Sequence, residues 1–171
     1  VISRKYYEGF SCLMPTEFQF EKRTRRPPKD EVNAMLSMGY SMLFNEILAN
    51  ANLCGLHPYI GFLHRIKEGH AALVSDLMEE WRTIIVDTTV LNMIKRQIIK
   101  KEMFRRENNG CFFTKEGLKI FLSNYHKKLI TDVEYLGNGA TYRDLLKRQC
   151  QKYVSVVLND KSEYYTAMEI R

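Results

Sequence analysis

The sequence predicts an all-α fold, a multi-helix domain with room for one very short β-hairpin. Three observations predict it. Apolar residues recur at helical spacing through several long stretches. Turn-forming clusters of proline, glycine and asparagine separate those stretches. Residues suited to helix ends stand at the edges of the stretches.

Taken in order, residues 1–10 read as a helix whose beginning lies upstream. Residues 15–28 form a connector ending in Pro27-Pro28, which disfavours helix immediately before it. Asp30 then stands near the start of a helix running to about Asn52, where an acid suits the positive end of the helix dipole. Val32, Met35, Leu36, Tyr40, Leu43, Ile47 and Leu48 supply its apolar stripe, and Gly55 ends it as a C-terminal cap. A second long helix is predicted from about His70 to Met93. Its β-branched run Ile84-Ile85-Val86 would suit a strand, but the flanking pattern favours helix.

A basic stretch follows, read as helix leading into the tight turn Asn108-Asn109-Gly110. Met103-Phe104 and Cys111-Phe112-Phe113 flank that turn and could pair as the hairpin. Thr114 is placed to cap a helix carrying Leu118, Phe121, Leu122, Tyr125 and Leu129. Gly137-Asn138-Gly139 breaks the chain again. Thr141 with Asp144 resembles a capping box, with Asp in place of Glu or Gln. The last helix repeats Tyr142, Leu145, Leu146, Cys150, Tyr153, Val154 and Val157, a stripe that reads as core. The tail from Lys161 could fray or dock.

Composition narrows the class. A chain of 171 residues is long enough for one domain with a proper core, and 45% hydrophobic content argues against disorder. No uncharged apolar run approaches the ~20 residues of a membrane helix, so no membrane partner is expected. Cys12, Cys54, Cys111 and Cys150 are scattered without paired spacing, which argues against a zinc site or disulfide framework and fits a reducing cytoplasm. A net charge of +6 points to a polyanionic partner. Lys95, Arg96, Lys100, Lys101, Arg105 and Arg106 crowd one stretch, and as a group they suit phosphate contacts that carry affinity without sequence information.

One constellation carries chemistry. His64 precedes two acids, Asp76 and Glu79, which stand three apart and so share a helix face. On an unbroken helix His64 and Glu79 would lie about 22 Å apart, so the chain must turn between them, and Lys67-Glu68-Gly69-His70 is the place for it. Folded back, one nitrogen and two carboxylates could converge on a hard or borderline divalent ion such as Mn²⁺ or Mg²⁺. Alone, the acids would more often serve as a solvated helix face, as Glu80 is expected to. His57 before Pro58 reads as structural, and His70 as a helix opener. Asn33 and Tyr40, seven apart on one face, either hydrogen-bond in the core or line the site. Arg25, Arg26 and Arg82 could grip phosphates bidentately or pair with nearby acids.

Three ordered motifs then carry a resemblance. Arg25-Arg26-Pro27-Pro28 with Asp30, Asn33, Ala34, Leu36, Ser37 and Gly39-Tyr40 is the first. The Gly-Leu-x-Pro-x-x-Gly-Phe-Leu-His run ending at His64 and the Asp-Leu-Met-Glu run from Asp76 to Glu79 follow. Together, over roughly residues 1–95, they resemble the CRISPR-associated integrase and endonuclease family of the spacer-adaptation module, the Cas-one family. The resemblance implies that His64 and Glu79 are metal ligands, with Asp76 a supporting acid one turn earlier. A Glu that completes the set in the family sits in a Glu-Gly pair ahead of a Tyr-aromatic pair. Tyr6-Tyr7 fits that pair, which would put the Glu just upstream of Val1; Glu8 stands on the wrong side to replace it.

The resemblance further implies that residues 1–171 are the C-terminal catalytic helical domain of a longer prokaryotic, cytoplasmic protein with an N-terminal β domain. Its activity would be metal-dependent attack on DNA phosphodiesters: by water in cleavage, by a DNA 3′-hydroxyl when a spacer joins a CRISPR repeat. Expected partners are free-ended or branched DNA and the small Cas-two protein. The intact protein would be a homodimer, while this stretch alone could be monomeric and weakly active or inactive. Two other classes stay open: a helical DNA-binding scaffold without catalysis, or a protein-interaction module.

Overall fold

The computed structural model describes residues 2–65, 67–159 and 165–168, with the side chains of Ile2 and Ser3 left aside. Val1 and most of the tail from Lys161 lie outside the described residues. The fold is mostly α, as the periodicity predicts. In chain order the elements are α1 (Ile2–Ser11), α2 (Glu31–Leu53), α3 (Ala72–Met78), a π-helical segment (Arg82–Asp87), α4 (Thr88–Lys95) and a 3₁₀ turn (Lys101–Met103). The strands β1 (Phe104–Glu107) and β2 (Gly110–Phe113), then α5 (Lys115–Leu129), β3 (Asp132–Tyr135), β4 (Asn138–Thr141) and α6 (Tyr142–Leu158) complete them.

The helix ends follow from their residues. Oδ1 of Asp30 accepts from the Asn33 amide at 2.7 Å, the bond an N-cap makes to the third helical residue. At the other end of α2, Leu56 N donates to Ala51 O at 2.9 Å and Gly55 N to Asn52 O at 3.0 Å. With Gly55 at φ +73° this is a Schellman stop, which glycine adopts without steric cost. Thr114 Oγ1 accepts from the Gly117 amide at 3.1 Å to open α5. Thr141 and Asp144 form the full reciprocal capping box that opens α6.

Besides the basic stretch expected as helix, where α4 ends at Lys95 and only the 3₁₀ turn Lys101–Met103 precedes β1, two expectations are corrected. The predicted helix from His70 to Met93 is three pieces, because α3 stops at Met78 and the chain resumes as a π-helical segment at Arg82. Trp81 N donates to Met78 O at 3.0 Å, a tightened turn that lets the fully buried Trp81 ring give its Nε1–H to Gln149 at 2.7 Å. The β-branched residues 84–86, stiff at χ1, lie within the π-helical segment. The second correction is a second hairpin. Besides β1–β2, whose turn holds Asn108 and Asn109 at φ 47° and 59°, β3 pairs with β4 across Leu136 and Gly137 at φ 51° and 77°. The strand pattern there is four residues per arm, too short to show as alternation.

The chain forms two compact units. One comprises residues 1–40 and 86–127, the other residues 41–85 and 128–171. In the first, Val32, Met35, Leu36, Val90, Met93 and Phe121 are buried. In the second, Leu43, Ile47, Leu73, Leu77, Trp81, Leu145, Leu146 and Cys150 are. No helix among the described residues is long and apolar enough to cross a membrane.

Candidate metal centre and nucleic-acid contacts

His64, Asp76 and Glu79 all fall in the second unit. The turn between them is where the sequence predicts it: Lys67 and His70 form an isolated antiparallel bridge, with His70 N donating to Lys67 O at 3.1 Å. The loop before it folds onto α3 through Asp76. Oδ2 of Asp76 accepts the amides of Phe62 at 2.5 Å and Leu63 at 2.9 Å. Oδ1 accepts the His64 amide at 2.9 Å and meets His64 Nδ1 at 2.5 Å. Gly61 makes this approach feasible, since a Cβ there would sit 2.5 Å from Asp76 Oδ2 and 2.8 Å from the Ala72 carbonyl carbon.

These contacts set the chemistry of both groups. Burial works to raise the Asp76 pKa, but the hydrogen bonds from Leu63, the His64 ring, Phe62 and the His64 amide outweigh it, and the net shift is downward. The carboxylate is therefore ionised at neutral pH and acts as acceptor. With the carboxylate as acceptor, His64 Nδ1 is the donor of their bond, which leaves Nε2 for another partner. The Asp76 side chain is fully buried, whereas the His64 side chain is 41% exposed. An imidazole oriented this way through its other nitrogen is the usual form of a metal-ligating histidine.

Glu79 is the residue after α3, with a half-exposed carboxylate that pairs with Arg82 at 2.7 Å. Imidazole nitrogen and carboxylate oxygen are the donor types of a hard or borderline divalent site, so the residues present fit Mn²⁺ or Mg²⁺. Among the described residues no three His, Cys, Asp or Glu groups gather closely enough to hold an ion by themselves. Asp76 spends its oxygens on protein donors.

The remaining candidates separate cleanly. Asn33 is fully buried and acts as a hub. Its Oδ1 accepts from Arg23 Nη1 and the Thr24 amide, both at 2.8 Å, and its Nδ2 donates to Lys22 O at 2.9 Å and Asp30 Oδ2 at 2.6 Å. It therefore fastens the connector to the start of α2. Tyr40 donates to the buried Asp87 and meets Tyr7 at 3.1 Å, with the Arg23 guanidinium 5.5 Å from its ring centre. Burial first, then Asp87, pushes its pKa upward, so it stays a neutral phenol. Arg25, Arg26, Lys95, Arg96, Lys100 and Lys101 are exposed in the first unit. Arg105 and Arg106 are pinned to Glu107 and Glu31, each at 2.8 Å.

Sequence reasoning missed three participants. Asp87, Glu80 and Gln149 are engaged by partners 47 or more positions away in the chain. Asp87 stands in no motif, Glu80 looks like surface, and Gln149 is a polar residue beside an apolar stripe.

Residues 1–127 match the sequence profile of the family described as CRISPR associated protein Cas1. The chain belongs to the Cas1 family. It is 33% identical over 163 residues to a CRISPR-associated endonuclease Cas1 of Clostridium perfringens, covering 92% of this chain and 49% of that protein. It is 34% identical over 160 residues to the Cas1 endonuclease of Mycobacterium tuberculosis, covering 91% of this chain and 47% of that protein. The chain thus spans about half the length of the curated Cas1 relatives it matches.

Solved structures agree. A casposase bound to integration product superposes with a TM-score of 0.85 at 27% identity, over 99% of this chain and 50% of that one. A Cas1 protein from Thermotoga maritima gives 0.81 at 28%, over 92% and 51%. A Cas6-RT-Cas1–Cas2 complex gives 0.84 at 28%, over 96% of this chain and 18% of that one.

Proposed function

We propose that this chain is the metal- and DNA-binding part of a Cas1 endonuclease and integrase that joins foreign DNA to a CRISPR repeat. The observation that carries the proposal is the orientation of His64 by Asp76 within a chain of Cas1 ancestry. His64 Nε2 and the Glu79 carboxylate are the ligands this chain offers. Asp76 is a positioning residue that fixes the His64 tautomer and ring. Arg82 neutralises Glu79 and holds its rotamer. Bound Mn²⁺ or Mg²⁺ supplies Lewis acidity at a phosphodiester oxygen.

Exposed Arg25, Arg26, Lys95, Arg96, Lys100 and Lys101 take the DNA backbone through charge-assisted contacts. Asn33 and Tyr40 keep the connector that carries Arg25 and Arg26 on α2. Similarity to structures named as a casposase with its integration product and as Cas1–Cas2 assemblies supports DNA and a Cas-two protein as partners. A homodimer in the prokaryotic cytoplasm is the working assembly, with a further acidic ligand supplied by the intact protein.

The test is strand transfer of free-ended DNA into a repeat-bearing plasmid by the intact protein with its Cas-two partner. Outer-shell changes at such sites cost about 10- to 100-fold, so His64→Ala and Glu79→Gln should lower product at least about 100-fold while DNA binding persists. Unchanged product in both variants would exclude this role for the pair.

A further inference from the structure

Residues 165–168, in the second unit, reach both segments that carry the candidate ligands. The Tyr165 hydroxyl donates to Glu80 Oε1, and the Met168 amide donates to Glu80 Oε2 at 2.9 Å. Glu80 directly follows Glu79. The Tyr165 ring centre lies 6.3 Å from that of Phe62, and Tyr153 adjoins both at 5.8 and 5.7 Å. Phe62 stands two residues before His64, and its amide is one of the donors to Asp76. Lys152 of α6 holds the same segment, donating to Thr166 Oγ1 at 2.6 Å with its ammonium 5.8 Å from the Tyr165 ring centre.

Burial and the neighbouring Glu80 push the Tyr165 pKa upward, so the phenol remains a proton donor. The need for such an anchor is visible in α3. That helix has only seven residues and no side-chain cap at its N-terminus, and Glu79 is its last-turn flank. A helix so short is marginal without tertiary contacts. Glu80, together with Trp81 held by Gln149, ties down the turn immediately after the ligand.

We propose that Tyr165 is a positioning residue of the metal centre, setting the separation of His64 and Glu79 by gripping Phe62 and Glu80 at once. The inference rests on His64 and Glu79 being ligands. Preorganisation is its physical basis: an ordered pair of ligands binds without first losing the conformational entropy of the turn and loop.

The experiment is a Mn²⁺ titration of the intact protein, which supplies the upstream Glu, following the free-ion EPR signal. Beside it stand its Tyr165→Phe, Tyr165→Ala and His64→Ala variants and the surface control Val157→Ala. A parent that does not take up Mn²⁺ overturns both the metal centre and the positioning role. Far-UV circular dichroism confirms that each variant is folded at the titration temperature. Loss of a group bonded directly to a ligand lowers metal affinity about 10-fold or more, and Tyr165 acts one residue further out, so Tyr165→Ala should raise Kd by about 3- to 10-fold. Tyr165→Phe keeps the ring against Phe62 but loses the bond to Glu80, and should fall about halfway on a logarithmic scale. Val157→Ala should bind as the parent does. If both Tyr165 variants titrate like the parent while His64→Ala does not bind, the positioning role is overturned and the metal centre stands. If His64→Ala also titrates like the parent, the metal centre itself fails and the inference falls with it.

Discussion

Asp76 does the most structural work of any single side chain near the candidate site. Three backbone amides and one imidazole converge on its two oxygens. Replacing one oxygen by an amide group would turn a donor toward N–H groups that need an acceptor. Asp76→Asn should therefore destabilise the chain by about 2 kcal/mol, the typical cost of leaving a buried donor unpaired, read as a lower urea midpoint. An unchanged midpoint would mean that the loop does not depend on this carboxylate. The acid was visible in the sequence as a group able to approach His64. Its actual role was not, because the loop amides it binds lie 12 to 14 positions away and only the turn at 67–70 brings them together. Spacing brought His64 and Asp76 forward as candidates, and tertiary geometry makes Asp76 the acceptor that orients the imidazole.

The helices themselves were largely legible in the sequence. Thr114, Thr141 with Asp144, Asp30 and Gly55 are local signals, and each makes the hydrogen bond that its chemistry calls for. The break after α3 was not legible, because it is driven by a contact across the fold. Trp81 must reach Gln149, whose Nε2 in turn donates to Leu77 O at 3.0 Å. Gln149 is completely buried on α6, beside the apolar stripe that the sequence showed. Gln149→Ala should strand the indole N–H of Trp81 and cost about 2–3 kcal/mol, with a matching fall in thermal midpoint. A loss below about 0.5 kcal/mol would show that this bond does not hold the break in place. The β3–β4 hairpin escaped for a simpler reason. Its turn uses Leu136 at positive φ, a residue that carries no turn signal, so Gly137 and Gly139 read as a plain break.

Across the whole chain, the net charge of +6 makes the proposed DNA contact one that salt can test. Lys95, Arg96, Lys100 and Lys101 extend from solvent-exposed positions around the end of α4, and no ion pair among the described residues includes them. By contrast, Arg105 and Arg106 spend their charge on Glu107 and Glu31. Each phosphate contact contributes about 0.9 to the slope of log affinity against log salt on duplex DNA. Alanine at all four positions should therefore lower the slope by about 3.6, measured by fluorescence anisotropy over a sodium chloride series. A slope equal to the parent's would assign DNA contact elsewhere. The same comparison for Arg105→Ala with Arg106→Ala should change the slope little.

The central claim is that Asp76 holds the proton on His64 Nδ1 and so leaves Nε2 to bind a divalent ion. Long-range ¹H–¹⁵N NMR of the imidazole rings tests it directly, since the chain has only four histidines to assign. Nδ1 of His64 should carry its proton, and its Nε2 resonance should be the first to broaden as trace Mn²⁺ is added. An Nε2–H tautomer, or broadening that spares His64, would contradict it.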